Sequence, residues 1–247
     1  MCGGLWAWHW RRGVRPDAVT LVLAAVCVAC YVCGFQRVAT PRDGLADAVL
    51  ANLSHASAGH LIGNMAVFLY LAAILNGLGA ARVYYALIFP VCTLVQWVFM
   101  GSLLRAAEVW YAWTYSGVWS LLPASWRSTA APVPRNAVGF SGIVSGVEGY
   151  AVLHVLAHMA FGVWCRRAGE ARPARFFGVA LASTGVWALF VHITVSKWRA
   201  ELGQAMATYE GASDGIAHDA HIGGLIGGLA LGMVRLVRRA REPTRAS

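Results

Sequence analysis

Gly139-Phe140-Ser141-Gly142 and Ala220-His221-Ile222-Gly223-Gly224 set a serine and a histidine at the heads of two long apolar segments. Polar side chains are costly in hydrocarbon, and where they occur inside a membrane they mark functional sites. A hydroxyl becomes a nucleophile when an imidazole lies within about 2.6–3.2 Å to take its proton, so the chemistry this pair could perform is acyl transfer. A third polar group, His55, His60 and Asn64, opens another apolar segment. His60 and Asn64 are four apart and share one helix face. Facing Ser141, they could donate hydrogen bonds to the oxyanion of a tetrahedral intermediate, with backbone N–H groups at the helix start beside Ser141 completing the hole.

The elements that must position these residues are membrane helices. Of the 247 residues, 58% are hydrophobic and only 13% charged, and the mean hydropathy is +0.57; a soluble domain is roughly 45–50% apolar and about 25% charged. Six stretches, 18–35, 61–78, 83–104, 137–164, 176–195 and 216–237, are long and apolar enough to span a bilayer. An all-α membrane protein with six transmembrane helices is expected: residues 1–17 as a cytoplasmic N-terminal segment, 18–238 as the membrane domain and 239–247 as a basic cytoplasmic tail. Arg11, Arg12 and Arg15 precede a first apolar run too long for a signal-peptide core and without a small-x-small cleavage site, so it reads as a retained helix. With the N-terminus inside, thirteen Lys and Arg residues fall on the inner side and seven on the outer, which favours an N-in, C-in topology. The second, fourth and sixth spans then enter from outside, and Ser141 and His221 lie roughly 6 and 8 Å beyond the starts of their apolar runs. Glycines at 142, 146 and 149, and at 223, 224, 227, 228 and 232, permit the close helix contact that would bring the two together.

Other residues compete for these roles. His218, one turn before His221, is an alternative base. Asp219 is rotated about 200° from His221 and is expected to face outer water or the positive helix N-terminus. Glu148 lies on the face of Ser141, roughly 10 Å deeper, as a buried carboxylate in a structural role. His154, His158 and His192, and the Cys27, Cys30 and Cys33 series, lack the surroundings of a metal centre. No metal and no cofactor is expected. The 105–136 segment reads as a long outer loop whose Trp and Tyr residues settle at headgroup level. The net charge of +9 points to anionic headgroups, especially for the Arg235–Arg245 tail, and not to nucleic acid, for which the chain has no module.

His55-x4-His60-x3-Asn64, Gly139-x-Ser141-Gly142 and Ala220-His221-x-Gly223-Gly224, in this order and on these spans, resemble the rhomboid family of intramembrane serine proteases. The resemblance implies a six-helix rhomboid-like bundle with a Ser141–His221 dyad and no carboxylate, and His60 and Asn64 as oxyanion-stabilising residues. It implies a serine endopeptidase that cuts single-span membrane proteins in or beside their transmembrane segments, reached by water through a polar cavity from the outer face. A multi-pass protein of the plasma membrane follows. The sequence departs from the family pattern at Ser145, where an aromatic residue often packs against the histidine, and in a short connection between the first two spans. The alternative is a catalytically inactive rhomboid-like protein that binds transmembrane clients. A di-iron hydroxylase would need further histidine boxes, and a transporter more charge at mid-membrane.

Overall fold

The computed structural model describes residues 17–40, 42–77, 82–114, 139–167, 191–204 and 217–241. Seven helices occur among them: α1 Ala18–Val32, α2 Leu45–Leu53, α3 Ala58–Gly77, α4 Arg82–Thr114, α5 Ser141–Arg167, α6 over 191–204, and α7 His218–Arg241. Each boundary has a local cause. Asp17 caps α1 by accepting from the backbone N–H groups of Val19 and Thr20, which would otherwise go unpaired at a helix start. Gly139 has φ +103°, a conformation that costs a residue with a side chain dearly. It turns the chain so that α5 begins at Ser141 itself, and the nucleophile candidate therefore heads its helix instead of following a first turn.

Three connections read as loops contain helix. The third span runs on to Thr114, because no glycine or proline interrupts 102–114 and Leu, Arg, Ala and Glu favour helix. Trp110 and Tyr111 lie on this extension, and residues 115–136 fall outside the described residues. The first connection holds α2, a nine-residue helix too short to signal a span, bent by 94° from α3. In the fifth segment, 176–190 lies outside the described residues, and α6 continues nine residues past 195.

By length and composition, two helices among the described residues could cross a membrane, Ala86–Ala112 and His218–Arg238, or three if the bent pair Leu45–Leu53 plus Ala58–Ala73 is one span; Ala18–Val32 and Ser141–Ala157 are shorter apolar helices. Large apolar side chains stand open on the outside of the bundle, among them Val22, Ile62, Val98 and Met233. Such a surface suits lipid and would be a liability in water.

The centre of the bundle is a glycine seam. A methyl group on Gly224 would stand 1.8 Å from the Gly142 carbonyl oxygen, and one on Gly228 1.8 Å from that of Gly146. The α5 and α7 backbones therefore touch, one turn after another. Gly223 and Gly227 make the adjoining face of α7, where a methyl would meet the α4 backbone at Gln96 and Cys92. Tandem glycines thus let one helix lie against two neighbours at once. Phe140, fully buried, packs edge-on against Phe68 at 4.8 Å between ring centroids and stacks on Phe89 at 5.9 Å, tying the start of α5 to α3 and α4.

Candidate active site

The seam delivers Ser141 from α5 to His221 on α7, with Oγ 2.9 Å from Nε2. The other ring nitrogen, Nδ1, lies 3.0 Å from Glu201 Oε2 on α6. A carboxylate, an imidazole and a hydroxyl therefore stand in line. With the Nδ1 proton donated to Glu201, Nε2 keeps its lone pair for the serine proton, the tautomer that a base requires. The sequence-based expectation has no carboxylate beside His221, and the structure places Glu201 there.

Asp219 is fully buried in the first turn of α7, with its carboxylate accepting from the Ala220 backbone N–H; of its two expected settings, the positive helix N-terminus holds and outer water does not. His218 does not reach Ser141 in place of His221. Its Nδ1 lies 2.5 Å from the same Glu201 oxygen, and its ring packs edge-on against His221, with centroids 6.1 Å apart. The ring contact that an aromatic at Ser145 would supply comes instead from His218. Ser145 itself is buried and lines the cavity beside Ser141.

Glu201 escaped sequence reasoning because it lies between the apolar stretches 176–195 and 216–237, outside any expected span. A signal was present: Lys197 and Glu201 are four apart and share a helix face. Lys197 Nζ reaches both oxygens of Glu148, at 3.0 and 2.9 Å. That pair ties α6 to α5, and Glu201, about 6 Å farther along the axis, stands within bonding distance of His221.

A cavity of about 610 Å³ opens onto Ser141 and His221, and His60, Asn64, Gln96, Glu148 and Lys197 share its wall. His60 packs edge-on against His55 at 5.4 Å between centroids and lies over Gly139, where any side chain would collide with its ring. Asn64 Nδ2 is buried and has no hydrogen-bond partner among the described residues. Unpaired buried donors are rare and costly, and Asn64 is one of the residues lining this cavity. A buried relay braces the other side: Asn52 Nδ2 donates to Thr93 Oγ1 and Gln96 Oε1, and Gln96 Nε2 donates to the Ala220 carbonyl oxygen at 3.0 Å, next to His221. At the rim, Trp97 Nε1 donates to the Asp43 carbonyl oxygen, and the Thr40 backbone N–H holds the Asp43 carboxyl below the usual carboxylate range.

The remaining sequence candidates lie elsewhere. His154 is buried and stacks on Tyr150, and His192 is exposed on α6. Arg235, assigned by sequence to the basic tail, is instead buried and donates to the Tyr150 hydroxyl at 2.6 Å.

Over residues 42–238 the chain matches the family model of the rhomboid domain. A helical bundle with lipid-facing outer surfaces and this match together define an integral membrane protein. The chain belongs to the rhomboid family, whose members are generally intramembrane serine proteases. No curated protein matches it.

Proposed function

We propose that this protein is an intramembrane serine endopeptidase that cleaves membrane proteins within or beside their transmembrane segments. The observation that carries the reading is the 2.9 Å approach of Ser141 Oγ to His221 Nε2, backed by Glu201 on the far side of the ring. Ser141 Oγ bonds to the scissile carbonyl carbon as its proton passes to Nε2. The carbonyl oxygen becomes an oxyanion within reach of Asn64 Nδ2, His60 and the free N–H groups at the start of α5. The C–N bond then breaks, and the proton on Nε2 goes to the departing amine. Water repeats the sequence on the acyl ester, releasing the acid and restoring the hydroxyl. Glu201 holds the ring and balances the imidazolium without taking the proton.

Six spans with both termini cytoplasmic, residence in the plasma membrane, single-span substrates and anionic lipid at Arg238 and beyond complete the proposal. It rests on charge distribution and span length. In this topology the cavity opens towards the outer face, which gives water its path. A client-binding protein without activity would have no need of an aligned serine, imidazole and carboxylate.

Labelling with a fluorophosphonate probe tests the reading directly. Wild type is expected to form an adduct that Ser141→Ala and His221→Ala do not, and both variants are expected to lose cleavage of a single-span reporter in proteoliposomes. Full cleavage by Ser141→Ala would sink it.

A further inference from the structure

The Glu201 carboxylate is shared by two imidazoles. Ligand atoms of Glu201, His218 and His221 all lie within 4.8 Å of one another, and the Nδ1 atoms of both histidines point at one oxygen, at 2.5 and 3.0 Å. Their side chains are 13, 4 and 16% exposed, so the cluster is sheltered yet borders the cavity that His221 lines. Zinc-class ions take histidine nitrogen and carboxylate oxygen at about 2.0–2.2 Å in tetrahedral array, which sets ligand atoms roughly 3.3 Å apart. The three atoms reach that spacing by moving less than about an ångström each. The histidines come from successive turns of α7 and the carboxylate from α6, so the ligands are held by two rigid helices.

We infer that Glu201, His218 and His221 form a binding site for a zinc-class divalent cation, with water as fourth ligand, and that occupancy switches the enzyme off. The switch follows from imidazole chemistry. A neutral ring carries one proton. When Glu201 accepts it from Nδ1, Nε2 is free to act as base. A metal bound at Nδ1 uses that nitrogen's lone pair and leaves the proton on Nε2, which then donates to Ser141 Oγ and accepts nothing. Metal and proton therefore compete for one atom, and only the proton leaves a working base. Imidazole and carboxylate together favour Zn²⁺ and Co²⁺ over Mg²⁺ or Ca²⁺, which prefer all-oxygen sites. The inhibitory half rests on the serine–histidine reading; binding of the ion does not.

The test uses the purified full chain without a polyhistidine tag, titrated with Co²⁺. One ion per chain is expected to bind with the visible absorbance of a tetrahedral site, to be displaced by Zn²⁺, and to survive in the His192→Ala control. His218→Ala and Glu201→Gln should each weaken Co²⁺ binding by more than about tenfold. His218→Cys should keep the ion and add a thiolate-to-cobalt charge-transfer band, an outcome that a misfolded variant does not produce. In the same preparation Zn²⁺ should block fluorophosphonate labelling of wild type, and EDTA should restore it. Absence of the cobalt absorbance, its persistence in both His218→Ala and Glu201→Gln, or a missing charge-transfer band in His218→Cys would overturn the site. Binding that leaves labelling untouched would overturn the switch. Absence of labelling before any metal is added would count against the protease reading alone, since the cobalt spectrum is read independently.

Discussion

The two walls of the cavity are built on opposite plans. On one side α4, α5 and α7 meet at glycines with backbone against backbone, and the polar groups there are paired, Gln96 with the Ala220 carbonyl and Asn52 with Gln96. On the other side α3 presents His60 and an Asn64 amide whose Nδ2 has no partner among the described residues, beside Gly63, where an added methyl would meet none of them within 4 Å. The first wall is closed and fixes where the reacting pair stands. The second is more open and leaves a buried donor unpaired among the described residues, at a cost in stability that a well-paired asparagine would not incur. The two surfaces are therefore expected to tolerate mutation differently.

Substitutions can break this contrast in order of severity. Gly224→Ala forces a methyl into the Gly142 backbone. It should cost about 3 kcal/mol or more of stability and abolish fluorophosphonate labelling, which thermal unfolding in detergent and gel fluorescence would measure together. Glu201→Gln keeps the shape but removes the charge that orients His221, and the cleavage rate of a reporter should fall roughly 10³-fold with little change in melting temperature. Asn64→Ala separates the walls most sharply: turnover should drop about 10²-fold through loss of an oxyanion donor, while thermal stability holds or rises because an unpaired buried amide has gone. If Asn64→Ala instead destabilises the protein as much as Gly224→Ala does, the open wall is structural and the contrast fails. Gly63→Ala should be the mildest, gaining up to about 1 kcal/mol of helix stability with reporter cleavage within about twofold of wild type.

The meeting of Ser141 and His221 was legible in the sequence because glycine spacing and matched depth are one-dimensional signals. So was the shared face of His60 and Asn64. Glu201 was not, since its place depends on helix continuing past residue 195, and a polar, tryptophan-containing stretch gives no hydropathy signal for that. The same blindness hid α2 and the last turns of α4. The burial of Asp219 and Arg235 was missed for a related reason: hydropathy and charge counting assign residues to a side of the membrane, whereas the 2.6 Å bond from Arg235 to the Tyr150 hydroxyl is set by packing between helices far apart in sequence.

The Glu148–Lys197 pair carries a consequence for the order in which the chain is made. Its partners are 49 residues apart, and a ribosome adding about 5–20 residues per second needs roughly 2–10 s to cover that interval. Through that time α5 has been synthesised with an acidic group whose cationic partner does not yet exist, and a lone carboxylate in hydrocarbon either takes up a proton or stays near water. Glu148 on α5 therefore gains its cationic partner only when Lys197 on α6 has been made. Glu201, four residues on from Lys197, is likewise made before the histidines of α7 to which it bonds.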